Sequence, residues 1–330
     1  SFWVSICTAL HRVCRVRRLL TMKLILKSLN YLLFNRAQFC DCLVKYFLGF
    51  LPDKLYLSLR YRILMGKWIN WKQPKLYQEK LQWLKVYNRQ KRYTEMVDKI
   101  TAKDYAARII GEKYIIPTLG VWDDFDEIDF EKLPNQFVLK TNNGGGNMGV
   151  IVCKNKSLLN KERAKKKLRL SLKGSIYKMY REWPYKDVKP KIFAEAYMED
   201  DSEFNKGGLA DYKFTCFNGE ADNVMVCCER QTGETKFYFF DQAWNLLPLN
   251  KRGKETSPNF KLPKPDCMDE MFEIAGKLSE GIPFLRVDLY YINGRPYFGE
   301  TTFFPASGFD PNILQETELL FGEKIVLPNK

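Results

Sequence analysis

A glycine-rich loop between two apolar runs is the segment best suited to phosphate chemistry. Residues 137–153 read FVLKTNNGGGNMGVIVC, with Lys140 at the loop entrance. Three loop glycines fit GxGxxG, but that fingerprint needs a helix next, and Val150-Ile151-Val152 favours a strand. No Lys-Ser/Thr pair follows for a Walker A loop. The pattern predicts a hairpin flap whose backbone N–H groups close over phosphates, with a plain surface hairpin as the alternative. The loop glycines are Gly144, Gly145, Gly146 and Gly149.

Two carboxylates near the C-terminal end could hold a hard metal ion. Asp288 interrupts an apolar strand and Glu300 ends the next one, with an Asn-Gly turn at 293–294 between them. A two-residue turn would place Asp288 opposite Gly299, whereas a three-residue loop with a bulge would place it opposite Glu300. Such a pair suits Mg²⁺ carrying substrate phosphates, and Arg286 shares the face of Asp288. A rim salt bridge between Arg286 and Glu300 is the alternative.

Two further charged residues interrupt or end apolar strands. Lys213 lies between Tyr212 and Phe214, where a snorkelling edge lysine is the ordinary explanation. Glu195 follows an apolar run, and it is either a surface residue at a strand end or the start of a purine-binding segment. In the second case the next residues would offer backbone groups and apolar walls; these are Ala196, Tyr197 and Met198.

Composition narrows the possible chemistry. The 330 residues are 45% hydrophobic and 15% aromatic, typical of a globular protein with a large core. His11 is the single histidine, which argues against His-based triads, Cys-His pairs and His-ligated metals. The kinase signatures His-Arg-Asp and Asp-Phe-Gly are missing. Nine cysteines without zinc spacing indicate reduced thiols and a cytoplasmic location.

The basic charge is concentrated at the start of the chain. Residues 1–50 contain eight Lys/Arg and one acid, half of the net charge of +14. No apolar run reaches the length of a membrane-spanning helix, and the charges do not precede an apolar signal core. The segment fits a basic amphipathic helix on a membrane surface or one docked on the protein itself. Met22 resembles a natural start, so the sequence leaves open whether residues 1–21 are native. No nucleic-acid-binding motif appears, and we expect no such partner.

The order of these features resembles that of the ATP-grasp superfamily over residues 98–308. The chain has, in this order, a lysine, a glycine flap with its own lysine, an acidic strand end, a second strand lysine, and Arg-x-Asp with a later Glu. Short runs make the resemblance more specific, to the TupA-like (teichuronopeptide-biosynthesis type) ATP-grasp family from about Pro52 onward. These runs are EKLQWLK (79–85), VDK (97–99), FVLK (137–140), REWPY (181–185), DYKF (211–214), CFNG (216–219) and RVDLY (286–290).

The resemblance implies a fold class, a domain division and a set of residue roles. The fold would be α+β, with two α+β subdomains sandwiching ATP and a helical N-terminal segment. We expect a basic apolar segment at 1–51, a helical region at 52–97 and an ATP-grasp domain at 98–330. Its flap subdomain would span about 130–195 and its metal-binding subdomain about 196–310. The implied ATP-binding residues are Lys99, Lys140, Gly144, Gly145, Gly146, Gly149, Glu195, Ala196, Tyr197, Met198, Asp200, Asp201 and Lys213.

The implied catalytic and metal-binding residues lie near the C-terminal end. Arg286 and Lys213 would be catalytic, with Arg286 steadying the transferred phosphoryl group. Asp288, Glu300 and Thr302 would hold Mg²⁺ or Mn²⁺, and Thr302 stands where superfamily members have Asn. Flap positions 142–145 read NNGG, where the family often has His-Asp-Ser-Gly.

By the same resemblance, the expected activity is ATP-dependent carboxylate–amine ligation through an acyl-phosphate. The expected setting is capsular or other surface-polysaccharide synthesis, joining an amino acid to a uronic acid. The partners would be ATP, a carboxylate-bearing sugar or glycan, an amine donor and the inner membrane face. Two alternatives remain: a metal-dependent glycosyltransferase, revealed by consumption of a sugar nucleotide, and a non-catalytic basic adaptor, revealed by indifference to Mg-ATP.

Overall fold

The computed structural model describes residues 35–146, 148–200, 209–228, 235–257 and 259–329. Residues 1–34, which include His11 and Met22, lie outside the described part, as does Asp201. The question whether residues 1–21 are native therefore also falls outside it. The chain forms two compact units, residues 1–69 and residues 70–330, which are described separately.

The described part of the first unit is a pair of helices. Helix α1 spans Arg36–Phe47 and begins at Asn35, whose side chain accepts a hydrogen bond from Gln38 N. Helix α2 spans Asp53–Met65 and ends at Gly66, which takes a left-handed φ of 73°. Within the described residues, no helix combines the length and the apolar character needed to cross a bilayer.

A buried ion pair joins these two helices. The Arg60 guanidinium contacts both carboxylate oxygens of Asp41, with Nε 2.6 Å from Oδ1 and Nη2 3.2 Å from Oδ2. Lys45 approaches the same carboxylate at 2.7 Å. Because Asp41 and Arg60 are both almost fully buried, the pair fixes how α1 lies against α2.

The second unit contains a four-stranded antiparallel sheet, here called the flap sheet. Its strands are β1 (Thr118–Trp122), β2 (Phe137–Thr141), β3 (Val150–Cys153) and β4 (Ile192–Ala196), in the order β1-β4-β2-β3. Strand β2 alternates buried and half-buried residues, so Phe137 and Leu139 pack inward. Helices α6 (Lys161–Leu172) and α7 (Ile176–Tyr180) lie between β3 and β4 in the chain, and Ala164 and Leu168 of α6 join the same core.

A six-stranded antiparallel sheet, here called the floor sheet, forms the other half of the second unit. Its order is β10-β9-β5-β6-β7-β8, so the C-terminal hairpin pairs with β5 at the centre. Asn-Gly turns connect β5 to β6 at residues 218–219 and β9 to β10 at residues 293–294, the second as predicted from the sequence. The strands are β5 (Ala210–Phe217), β6 (Glu220–Cys228), β7 (Lys236–Phe240), β8 (Leu246–Leu247), β9 (Phe284–Ile292) and β10 (Arg295–Thr302).

Helices cover one side of the floor sheet. Helix α9 (Met268–Ser279) has an apolar face that packs Met271, Ile274 and Leu278 into the core with β5 residues such as Phe214. Ring contacts extend this core, including Phe214 against Phe272 at 5.0 Å. Because helices cover one face of the floor sheet, its opposite face is available to line a cavity. The remaining α-helices described in the second unit are α3 (Tyr77–Tyr87), α4 (Arg92–Val97), α5 (Thr101–Ile110), α8 (Lys251–Glu255) and α10 (Gln315–Lys324).

Candidate functional site

A cavity of about 920 Å³ lies in the second unit, with walls from the flap sheet and the floor sheet. Gly146 and Val150 line it from the flap hairpin, and Asp288 and Glu300 line it from the C-terminal hairpin. Two motifs about 140 positions apart in sequence therefore meet at one space. The volume is at the upper end of the range for small-molecule sites, about 300–1,000 Å³.

The C-terminal hairpin combines two features that the sequence analysis treated as alternatives. Its turn has two residues, Asn293 and Gly294, with left-handed φ values of 48° and 81°. A bulge at Gly299 then shifts the register, so that Glu300 stands directly opposite Asp288. A side chain at Gly299 would place its Cβ 2.8 Å from the Asp288 carbonyl oxygen, so the bulge depends on glycine.

Cationic side chains bridge the paired carboxylates. The Arg286 guanidinium binds Asp288 with two hydrogen bonds, at 2.6 and 2.8 Å, and lies 3.7 Å from Glu300. Lys213 contacts Asp288 and also donates to Asp211 at 2.6 Å. Lys99 contacts Glu300. Two of the predicted phosphate ligands, Lys99 and Lys213, thus form one continuous charge network with the predicted metal ligands Asp288 and Glu300.

The two carboxylates of this network have shifted pKa values. Burial raises the pKa of Asp288 above its usual range, although Arg286 and Lys213 oppose that shift. Burial also acts to raise the pKa of Glu300, but Lys99 and Arg286 outweigh it and lower that pKa to about 2. The guanidinium keeps its charge, because the neighbouring carboxylates more than offset desolvation and raise the pKa of Arg286. Glu300 is therefore an anion throughout the physiological pH range.

Glu195 bridges two lysines at the opposite wall. One oxygen accepts from Lys103 Nζ at 2.6 Å, and the other contacts Lys140. Burial works against the Glu195 carboxylate, yet the two ammonium groups lower its pKa below the ordinary value. Burial lowers the pKa of Lys103, which also donates to Ile116 O at 2.8 Å. The sequence analysis missed Lys103, because only the fold brings its helix to the end of β4.

The base of the flap is anchored, whereas its tip is exposed. The Thr141 and Ser171 hydroxyls lie 2.7 Å apart, and a Cβ at Gly149 would collide with both. Asn142 donates to Lys189 O at 2.9 Å, and Asn143 donates to Gly174 O at 3.1 Å. The two asparagines that depart from the family pattern thus fix the hairpin to the segments before and after helix α7. Gly145 and Gly146 at the tip are exposed.

Some predicted site residues lie beside the described cavity wall rather than in it. Asp200 accepts a hydrogen bond from Asn293 N at 3.3 Å, which joins the exit of β4 to the C-terminal turn. The Thr302 hydroxyl accepts a hydrogen bond from Arg286 Nη2 at 3.1 Å and so helps to hold the Arg286 guanidinium in the charge network. The predicted residues outside the described wall are Gly144, Gly145, Gly149, Ala196, Tyr197, Met198, Asp200 and Thr302.

The donor set suits a magnesium ion that arrives with a nucleotide. Among the described residues, no group of three or more His, Cys, Asp or Glu side chains is placed to hold a metal alone. Two opposed carboxylates, Asp288 and Glu300, do meet at the cavity. Mg²⁺ commonly takes one or two protein carboxylates and completes its shell with phosphates and water. These residues therefore fit Mg²⁺ bound together with phosphates.

The sequence matches a known family over most of its length. A family profile described as TupA-like ATPgrasp matches residues 79–326, well over half of the chain. The chain belongs to the TupA-like ATP-grasp family. This confirms both the resemblance inferred from the short runs and the α+β ATP-grasp fold class.

Solved ATP-grasp structures are similar at low identity. The D-alanine–D-alanine ligase of Bacillus anthracis complexed with ATP is 14% identical, with 63% of this chain and 53% of that chain covered and a TM-score of 0.36. That of Helicobacter pylori is 17% identical, covering 76% and 69%, with a TM-score of 0.38. D-alanyl-alanine synthetase A of Vibrio cholerae is 11% identical, covering 69% and 61%, with a TM-score of 0.39. This chain thus spans about half the length of the first of these. Comparison with curated proteins gave no match.

Proposed function

We propose that this protein is an ATP- and Mg²⁺-dependent carboxylate–amine ligase. The observation that carries the proposal is the single cavity lined by the flap, by Lys140 and by the Asp288–Glu300 pair. A triphosphate is the ligand that uses these parts together, since flap N–H groups and cations bind phosphates while carboxylates bind the accompanying metal. ADP, phosphate and an amide would be the products.

The reaction would proceed in two displacements. A substrate carboxylate oxygen attacks the γ-phosphorus, the bond to the bridging oxygen breaks and ADP leaves. The amine nitrogen then attacks the acyl carbon, phosphate leaves with the C–O bonding electrons, and the nitrogen loses a proton. Both steps depend on charge neutralisation and positioning more than on a protein base. That requirement suits a chain with a single histidine.

Each basic group of the cavity has a role in this scheme. Lys140 and Lys213 bind phosphate oxygens, and Arg286 steadies the transferred phosphoryl group, since a guanidinium can donate to two oxygens at once. Asp288 and Glu300 hold Mg²⁺. When bound, the ion neutralises phosphate charge. Lys99 contacts Glu300 and lies at the cavity, where it can change partner from carboxylate to phosphate.

The adenine end and the domain division complete the proposal. Glu195 lies near the end of β4, and residues 196–198 continue the chain from it. We assign residues 195–198 to adenine binding and Asp200 or Asp201 to the ribose. The ATP-grasp domain would be residues 98–330, preceded by a helical region at 52–97 and a basic segment at 1–51. We further propose, from the resemblance stated in the sequence analysis, a role in surface-polysaccharide assembly on the cytoplasmic side of the membrane, with a carboxylate-bearing sugar as acceptor.

Acceptor-dependent ADP release tests the activity directly. The purified chain is incubated with Mg-ATP, a uronic acid or uronate-containing oligosaccharide and a panel of amino acids, and ADP and amide are measured by chromatography and mass spectrometry. The proposal predicts ADP release that needs both substrates and is lost in Lys140→Ala and Glu300→Gln. Consumption of UDP- or GDP-sugar without ADP release would instead indicate the transferase.

A further inference from the structure

The face of the floor sheet that lines the cavity is wider than its charged cluster. Cross-strand pairing sets Asp288 opposite Lys213, Lys213 opposite Met225 and Met225 opposite Phe239. All four residues line the cavity. Strands lie ~4.8 Å apart, so this row covers three spacings, or ~14 Å, from β9 to β7. The charged cluster occupies only β10, β9 and β5.

The half of the floor on β6 and β7 has a different chemistry. Met225, Phe237 and Phe239 give it an apolar and aromatic surface, and Phe237 is 37% exposed. The alternate residues of β7, Tyr238 and Phe240, turn the other way and stack on Phe260 and Trp244 in the core. Phe239 is 5% exposed and packs into the same core, so Phe237 is the ring of β7 that is accessible from the cavity.

Basic side chains border this aromatic half. Lys251 and Arg252 are exposed, line the cavity and form no ion pair within the described part of the chain. With Lys236 they exceed the two acids of this half, Glu255 and Asp310. An exposed cation beside an aromatic ring suits an anion that carries an apolar face.

The helix that carries these cations has a fixed position. Asn250, which is 6% exposed, donates to Phe237 O at 3.1 Å and accepts from Gly253 N at 2.7 Å. Lys251 N donates to Asn312 O at 3.2 Å. Helix α8 is thus tied to β7 on one side and to residue 312 on the other. Its cations are held beside the aromatic surface rather than on a loose loop.

We propose that this half of the cavity is a subsite for an anionic sugar, the acceptor of the ligation. The sugar's C–H face would lie on Phe237, while Lys251 and Arg252 bind a carboxylate or phosphate that the sugar bears. The subsite lies about three strand spacings from Asp288, so a substrate held there by one anionic group can extend a second, reacting carboxylate toward the phosphates. The assignment rests on the proposed function, which places the nucleotide at the charged half.

Binding of simple sugars tests the subsite without turnover. Calorimetry on the full chain, with and without Mg-AMP-PNP, would use D-glucuronate, glucose 1-phosphate and neutral glucose as probes. The two anionic probes distinguish carboxylate from phosphate as the recognised group. The test variant is Lys251→Ala with Arg252→Ala, and Lys254→Ala is the control, since Lys254 is an exposed lysine of the same helix outside the cavity wall.

The subsite predicts that at least one anionic probe binds and that glucose binds about tenfold more weakly or not at all, since a charge-assisted contact is lost. The double variant should weaken the anionic probe about fivefold or more, whereas Lys254→Ala stays near wild type. Binding of AMP-PNP without any anionic sugar, or equal weakening by the control, would overturn the subsite. Sugar binding without nucleotide binding would instead overturn the proposed function and leave the subsite standing.

Discussion

Glu195 illustrates how one residue can serve both fold and site. Its carboxylate lies between Lys103, buried beneath the flap sheet, and Lys140, at the cavity. Removing one member of a buried charge group leaves its partners uncompensated, which costs about 3–5 kcal/mol. Glu195 therefore positions a phosphate-binding lysine while it neutralises a structural one.

Glu195→Gln should destabilise the protein by about 3 kcal/mol at pH 7, because two ammonium groups lose their anion. The pKa of Glu195 is lower in the folded protein than its ordinary value of 4.5. Its stabilising effect is thus fully present above that value and is lost as pH falls through the lowered folded pKa. Urea unfolding of wild type and Glu195→Gln would be measured from pH 8 to pH 3. The difference between their free energies of unfolding should be constant above pH 5 and should shrink below pH 4.5.

Glu131→Gln is the matched control, since Glu131 is exposed and its side chain forms no ion pair among the described residues. It should change the free energy of unfolding by less than about 0.5 kcal/mol at every pH. A gap for Glu195→Gln that stays the same at pH 3.5 and pH 7, or that matches the control, would contradict the bridging role.

Among the elements, the turn after β10 is held by residues from two of the sequence runs on which the family resemblance rests. Ala306 and Ser307 take left-handed φ values of 47° and 55°, a conformation that costs non-glycine residues about 1–2 kcal/mol each. Pro305 and Ala306 line the cavity. From the EKLQWLK run, Lys85 Nζ donates to Ser307 O at 2.7 Å and Gln82 donates to Gly308 O at 2.8 Å. From REWPY, Glu182 accepts from the Ser307 hydroxyl at 2.6 Å. Helix α3 thus positions the turn.

Lys85→Met should raise the KM for the carboxylate acceptor or lower kcat about tenfold or more, because the strained turn loses a charged donor. Nucleotide affinity should stay within about twofold of wild type, since the charge network is intact. Steady-state kinetics and nucleotide titration separate these effects, and Lys85→Arg should restore part of the activity.

Lys80→Met is the control for Lys85→Met, because Lys80 on the same helix also donates to a carbonyl, Ile325 O at 2.7 Å, away from the turn. It should lower stability with kinetics close to wild type. Equal kinetic losses in Lys80→Met and Lys85→Met would mean that the turn has no special role.

The sequence predicted the parts of this site but not all of their contacts. Local signals were sufficient for the flap hairpin and for the Asn-Gly turn at 293–294, because strand runs and turn residues specify them. Whether Asp288 faces Gly299 or Glu300 stayed open, since the bulge that decides it depends on the close approach of Gly299 to the Asp288 carbonyl. Lys103 and the left-handed turn at Ala306 were also missed, because partners distant in sequence create both.

For the molecule as a whole, the first unit presents apolar side chains beside basic ones. Phe47 and Phe50 are 70% and 79% exposed, near the exposed Lys54 in the chain. Exposed aromatic residues among cations are typical of surfaces that bind anionic lipid. We propose that this unit brings the enzyme to the inner membrane face, where a lipid-linked acceptor would be available.

Phe47→Glu with Phe50→Glu should weaken binding to phosphatidylglycerol vesicles about tenfold, because two exposed rings that would insert into the lipid are replaced by charges that the lipid repels. Co-sedimentation with phosphatidylglycerol and with phosphatidylcholine vesicles measures this. Leu170→Glu is the control, since Leu170 is 69% exposed on α6 of the second unit. Wild-type binding that does not depend on lipid charge, or that the double variant retains, would contradict the proposal.

Calorimetric titration with AMP-PNP, with and without Mg²⁺, tests the central claim that flap and carboxylates bind one metal-nucleotide complex. For wild type we expect Mg²⁺ to tighten nucleotide binding about tenfold or more, and for Glu300→Gln we expect most of that gain to be lost. Lys140→Ala should weaken binding whether or not Mg²⁺ is present. Affinity that is the same in all three proteins, and indifferent to Mg²⁺, would show that the cavity is not a nucleotide site.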